Sequence, residues 1–208
     1  MTTQMIRSLI ILRHGRTVAN ASGLLLGRAD PELDSRGIEQ AAALGRAMNS
    51  GRFGQIAAVV SSPLMRTQMT AQALGHPVLS DERLIELDYG LWDGRPVSEV
   101  STAEWATWRS DLAFAPPEGE SLAALGVRMR EACVDWSSRP LDAEGSVVLV
   151  SHVSPIKAAV AWALGVDDAV SWRTHLDTAS ITQVLARNGT PVLSLFNDTA
   201  HLVVEPQR

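Results

Sequence analysis

Three short apolar runs follow one pattern along the chain. Leu9–Leu12 leads into Arg13-His14-Gly15, Ile56–Val60 into Ser61-Ser62-Pro63, and Val147–Val150 into Ser151-His152. Runs of four or five residues, apolar on both faces and stopped by polar groups, predict central strands of a covered parallel sheet. Helical periodicity fills the spaces between them. Asp34 reads as an N-cap ahead of Ile38, Ala41, Leu44, Ala47 and Met48, which share roughly one helical face. Ser62 as cap and Pro63 at the first helical position predict a helix over "PLMRTQMTAQAL". Further helices are expected over "SLAALGVRMREACVDW" and "IKAAVAWALG", the latter stopped by Gly165. "SITQVLA" and "VLSLFN" read as two strands around an Asn188-Gly189 turn.

Alternation of this kind predicts an α/β fold: a three-layer α/β/α sandwich with a mostly parallel central sheet. Residues 1–208 suit a single domain. The stretch from about 90 to 121 breaks the pattern. It holds Trp92, Trp105, Trp108, Pro116-Pro117 and Gly119, and is expected to be a small insertion with a short helix, placed as a lid over one edge of the site. Its tryptophans could equally be plain packing residues.

Composition narrows the chemistry. Hydrophobic residues make up 46% of the chain and charged residues 20%, ordinary for a globular protein with a real core. A net charge of −5 gives no ground for a nucleic-acid partner. The Leu9–Leu12 run is too short for a signal-peptide core or a membrane span, so a cytoplasmic protein with no membrane partner is the expectation. An edge strand or the tryptophan-rich insertion could join copies into a homo-oligomer. The single cysteine, Cys133, excludes an intramolecular disulfide and a cysteine-rich zinc site. Lys157 is the one lysine, and there is no GxxxxGK[ST] phosphate loop.

In an open parallel sheet, ligands sit beyond the carboxyl ends of the strands. Arg13 and His14 leave the first strand, Arg66 rides the helix after the second, and His152 leaves the third. Two arginines, two histidines and a helix N-terminus converging on one crevice describe a phosphate pocket. His14 is the candidate nucleophile if one ring nitrogen donates to a backbone carbonyl and leaves the other a free lone pair. An acid is needed for the leaving group, and "RLIELDYGLWDG" offers Glu86 and Asp88, with burial beside a phosphate expected to raise the carboxyl's pKa. Two rivals fare worse. "CVDWSSR" has the Cys-x5-Arg spacing of cysteine-dependent phosphatases, yet its loop lacks glycine and holds Trp136. Asp167-Asp168 has no clustered ligand partners in the sequence and reads as a helix-end cap.

These motifs, taken in order, resemble the histidine phosphatase superfamily in its phosphoglycerate-mutase-like branch. "LRHGRTVAN" is similar to the family's Arg-His-Gly signature, with Asn20 at its Asn, and "GRADPELDSRGIEQA" to the loop that follows. "SSPLMRTQMTA" matches the second arginine motif, "RLIELDYGLWDG" the acid motif, "PPEGES" the Gly-Glu-Ser turn and "VLVSH" the second histidine. "NDTAHL", residues 197–202, resembles a C-terminal motif of small phosphatases in this branch. The resemblance implies a metal-independent phosphomonoester hydrolase with no cofactor, acting on a small phosphorylated metabolite. His14 would be phosphorylated, Arg13, Arg66 and His152 would complete the phosphate pocket, Asn20 would lie at its edge, and Glu86 would be the acid. A phosphoglycerate-type mutase and a catalytically idle phosphate-binding module are the alternatives. Three departures stand out. Arg16 replaces the usual Glu or Gln and is expected to add positive charge at the pocket mouth. "HVSP" replaces the frequent His-Gly-Gly, and Asp34 replaces a Thr.

Overall fold

The computed structural model describes residues 8–141, 143, 145–187 and 190–203. Six strands form one sheet in the order β3-β2-β4-β1-β5-β6. They are β1 (Leu9–Arg13), β2 (Ile56–Ser61), β3 (Val78–Ser80), β4 (Ser146–Ser151), β5 (Ile181–Arg187) and β6 (Thr190–Asp198). The β2–β3, β2–β4 and β4–β1 pairs are parallel, and β1–β5 and β5–β6 are antiparallel. The predicted strands are all present. The Asn188-Gly189 turn lies outside the described residues, and the short edge strand β3 went unforeseen.

Side chains alternate across the sheet, so each apolar run feeds two cores. Leu9, Ile11, Val147 and Leu149 join one cluster with Leu125, Met129 and Ile156, from α5 (Leu122–Ser138) and α6 (Val153–Leu164). Ile10, Leu12, Val148 and Val150 join the other with Leu44, Met48 and Ala71, from α2 (Ser35–Met48) and α3 (Met65–Gln72). Helices therefore cover both faces, as the doubly apolar strands require. The 90–121 stretch carries the helix α4 (Thr102–Ser110) and packs Trp92, Val100 and Trp108 into the α5/α6 core. Its tryptophans are packing residues: Trp105 stacks on Trp108 with ring centroids 5.5 Å apart.

Two local expectations need correction. α3 begins at Met65 with Leu64 as N-cap, two residues beyond Pro63. Ser62 accepts at its Oγ from Leu64 N at 3.4 Å, and its carbonyl accepts from Thr67 Oγ1 and Gln68 Nε2 on the first turn of α3. Ile38 is 53% exposed, while Gly37, Gln40 and Ala41 turn inward. That face must pack against backbone: a Cβ on Gly37 would lie 2.0 Å from the Arg16 carbonyl oxygen, and one on Gly15 2.4 Å from the Gly37 oxygen. Only glycine permits so close an approach. Asp34 caps α2 as expected, accepting from Gly37 N at 2.8 Å, and Gly165 ends α6 in the left-handed region.

Candidate active site

The parallel register sets Arg13 beside Ser151, and Ser61 beside Val150, at one edge of the sheet. His14 follows β1 and is 3% exposed. Its Nδ1 lies 2.7 Å from the Gly15 carbonyl. A carbonyl only accepts, so Nδ1 carries the proton and Nε2 keeps its lone pair, as nucleophilic attack requires. Burial pushes the His14 pKa well below the ordinary histidine value, helped by the positive charges of Arg66 and Arg13. The neutral imidazole is thus the resting form at pH 7.

Arg66 is wholly buried. It donates from Nε to His152 Nδ1 at 3.2 Å, from Nη1 to the Ala29 carbonyl at 2.7 Å and from Nη2 to the Gly27 carbonyl at 2.8 Å. A guanidinium has five N–H donors, so two remain to offer an anion. The contact from Arg66 also fixes His152: Nδ1 must be the acceptor, and Nε2–H faces Ser62 Oγ at 2.8 Å. The His152 pKa is likewise held well below the ordinary value, by burial first and then by Arg66. The two imidazole rings lie 5.1 Å apart, edge to face.

Arg13 gives Nη1 to the Leu176 carbonyl at 2.6 Å, and its buried Nε has no protein partner. Burial lowers its pKa to about 10, partly offset by Glu86 and Asp177, so it stays charged near neutrality. Glu86 is 3% exposed and sits on the N-terminus of α6. Its Oε2 accepts from Val153 N at 3.1 Å, and Oε1 accepts from Ser154 N at 3.2 Å and Leu87 N at 2.7 Å. Unpaired N–H groups and the helix dipole hold the carboxylate there. Asp88, the competing acid, spends Oδ1 on the Gly90 N–H in a local turn. The "HVSP" departure leaves this helix start intact, with His152 at the N-cap position.

Asn20 completes the N-terminal capping box of the short helix α1 (Val18–Ala21), its Oδ1 accepting from the backbone and hydroxyl of Thr17. Only its amide NH2 has donors to offer. Arg16 pairs its Nε with Asp34 at 2.8 Å and its backbone N donates to Gln40; the four N–H bonds of its two terminal nitrogens lie outside that pair. Cys133 lies inside α5, fully buried, with its thiol pushed up to about 12 by burial. A thiolate nucleophile there is untenable. Asp167 caps the 168–173 turn, and Asp168 pairs with Arg130 at 3.0 Å.

Several supporting residues escaped sequence reasoning. Arg128 donates to the carbonyls of Arg83, Ile85 and Glu86 and pairs with Glu120, tying down the loop that carries the acid. Asp93 accepts from the backbone of Gly27 and Ala29, whose carbonyls hold Arg66. Thr70 accepts from Gly15 N at 3.1 Å. Tyr89, the one tyrosine, is half-buried near Glu86, and desolvation raises its pKa. Thr70, Tyr89, Asp93 and Glu120 lie inside motifs quoted from the sequence, but their supporting roles had no signal there.

Residues 9–199 match the family model of the histidine phosphatase superfamily (branch 1). A bifunctional protein of Mycobacterium tuberculosis is 36% identical over 203 residues, which cover 93% of this chain and 54% of that protein. The chain therefore spans about half the length of that curated relative. Phosphoserine phosphatase 1 of Hydrogenobacter thermophilus is 32% identical over 204 residues, 93% of each chain. Among solved structures, a mutant of phosphoserine phosphatase from Entamoeba histolytica, in complex with phosphoserine, superposes with a TM-score of 0.85. It is 29% identical, across 95% of this chain and all of that one.

Proposed function

Because the chain belongs to the histidine phosphatase superfamily, we propose that it hydrolyses small phosphomonoesters through a phosphohistidine on His14. The observation that carries this reading is the tautomer of His14: Nδ1–H on the Gly15 carbonyl, Nε2 unprotonated, ring buried and neutral. In the first step His14 Nε2 attacks phosphorus, the P–O bond to the alcohol breaks, and Glu86, which takes up a proton when the phosphate binds beside it, gives that proton to the departing oxygen. In the second, water attacks the phosphohistidine while Glu86 takes a proton from it, releasing phosphate and restoring both groups.

Arg13 and Arg66 supply fixed positive charge to the equatorial oxygens, with Asn20 adding its amide at the edge. His152 orients Arg66 through Nδ1 and brings Nε2–H to the same pocket once it leaves Ser62. The 90–121 segment covers the leaving-group side, and Arg16, anchored to Asp34 through Nε, adds positive charge at the pocket mouth. No helix among the described residues is long and apolar enough to cross a membrane. A cytoplasmic location is the further part of this reading.

The test is phosphate release from p-nitrophenyl phosphate in EDTA, wild type beside His14→Ala. The expected result is release by the wild type and a fall of at least about a thousandfold in the variant. Equal rates would overturn the assignment of His14. Phosphate exchange between phosphoglycerates without net release would make the chain a mutase.

A further inference from the structure

The C-terminal segment Asn197–Leu202 enters none of the steps above, yet its first residue reaches back towards the phosphate pocket. Asn197 sits near the end of β6 with a positive φ of 54°. Its side chain meets Asp177 twice: Oδ1 accepts from Asp177 N at 2.7 Å, and Nδ2 donates to Asp177 Oδ2 at 2.9 Å. These partners allow the amide one orientation, because a backbone N–H needs its oxygen and a carboxylate needs its NH2.

The Asp177 N–H and the Leu176 carbonyl belong to one peptide unit. That carbonyl accepts from Arg13 Nη1 at 2.6 Å, the one hydrogen bond the Arg13 guanidinium makes among the described residues. Asn197 and Arg13 therefore grip opposite ends of the same peptide. The unit is planar and stiff, so the direction of its N–H fixes the direction of its carbonyl. Hydrogen bonds in series also polarise one another. Arg66 has three protein anchors and needs no such help. The next residues hold the same strand end through the backbone. The Ser180 carbonyl accepts from Arg13 N at 3.1 Å, and Ala179 N donates to the His14 carbonyl at 3.0 Å. Ala179 is fully buried with φ at 56°, a strained conformation for a residue with a side chain. Such a turn persists only where its surroundings hold it, and Asn197 is one of those holds.

We infer, on the footing of the phosphatase reading, that Asn197 is a positioning residue for Arg13: through the 176–177 peptide it sets where the guanidinium meets the phosphate oxygens. Asparagine suits the post because it tolerates the left-handed φ and carries an acceptor and a donor on one planar group. An aspartate in its place would keep the acceptor for the Asp177 N–H and turn a second carboxylate towards Asp177. A contact that merely fastened β6 to the loop would have no bearing on how tightly the pocket holds an anion.

The experiment uses Asn197→Gly, which removes the amide and keeps the positive φ. Its readout is the Ki of inorganic phosphate against p-nitrophenyl phosphate hydrolysis, because an inhibition constant does not depend on the fraction of enzyme folded. The expected result is a rise of about threefold to tenfold, the worth of one or two hydrogen bonds. An unchanged Ki, with turnover falling only in step with the folded fraction, overturns the inference and leaves the phosphatase reading intact. If Asn197→Gly fails to fold, Asn197→Asp takes its place and should raise the Ki likewise. Adding Asp177→Asn should then recover the wild-type Ki, since it restores an amide against a carboxylate; a Ki that does not move, or does not recover, refutes the inference. A wild type that releases no phosphate from the ester overturns the phosphatase reading instead. Calorimetric binding of inorganic phosphate then decides: weaker binding to the variant than to the wild type supports the role of Asn197, and equal or absent binding refutes it.

Discussion

Arg66 ties three distant parts of the chain together, gripping His152 and the carbonyls of Gly27 and Ala29. A lysine could reach one of these partners but not all three, because its ammonium is a single point at the end of a flexible stem. Arg66→Lys is expected to cost about 3–5 kcal/mol of stability, since it orphans buried carbonyls and an imidazole nitrogen. Denaturant midpoints would show it, alongside a fall in kcat/KM for p-nitrophenyl phosphate. Arg16 is the contrast. With only its Nε on Asp34, Arg16 keeps four N–H bonds for an anionic substrate, so Arg16→Ala should lower kcat/KM for acidic esters more than for neutral ones, and an unchanged ranking of substrates would remove it from the pocket mouth. His14 predicts a pH profile. Its pKa is pushed down by burial and by two arginines, so kcat/KM, which reports the free enzyme, should show no histidine inflection near 6.5 as pH falls from 7.5 to 5.5. A bend there would mean an ordinary, protonatable nucleophile.

At the level of elements, the join between the loop after β1 and the first turn of α2 has no spare room. A methyl on Gly37 collides with the Arg16 backbone, which leads directly back to His14. Gly37→Ala is expected to destabilise by about 1–3 kcal/mol and to lower activity by more than the lost stability explains, measured at a temperature where the variant is folded. This join also shows where sequence reasoning stops. β1, β2 and β4 were legible because both their faces are apolar, and Asp34, Ser121 and Gly165 mark helix ends by local chemistry alone. The start of α3 was not, because the Ser62 hydroxyl faces His152 ninety residues away while only its carbonyl serves the first turn of the helix. Ile38 misled because the buried face of α2 is chosen by backbone contact, where small residues win over large ones. The two histidines and Arg66 that meet at the sheet edge were legible from their order and place after strands. The residues that hold them were not: Arg128, Asp93 and Thr70 act through tertiary contacts that no spacing encodes.

For the whole molecule, the two neutral imidazoles link stability to pH. Both native pKa values lie below the unfolded value of about 6.5. Below that value the unfolded chain binds protons that the native state refuses, so stability falls as pH falls. Each histidine contributes up to about 1.4 kcal/mol per pH unit in that window. Urea midpoints are expected to drop between pH 7 and pH 5, and His152→Gln should flatten the slope. A midpoint independent of pH would contradict the buried, neutral pair.

The sheet order carries a consequence for how the chain is made. β1 lies between β4 and β5, and Leu9 pairs with Val147, 138 positions later. At about 5–20 residues per second, a ribosome needs roughly 7–28 s to supply that partner. Throughout that interval one of the most apolar segments of the protein, and the nucleophile attached to it, has no sheet to enter. Nascent chains stopped short of residue 146 should therefore be captured by hydrophobic-binding chaperones and cleaved readily by protease, and protection should arrive only after β4 and β5 have emerged.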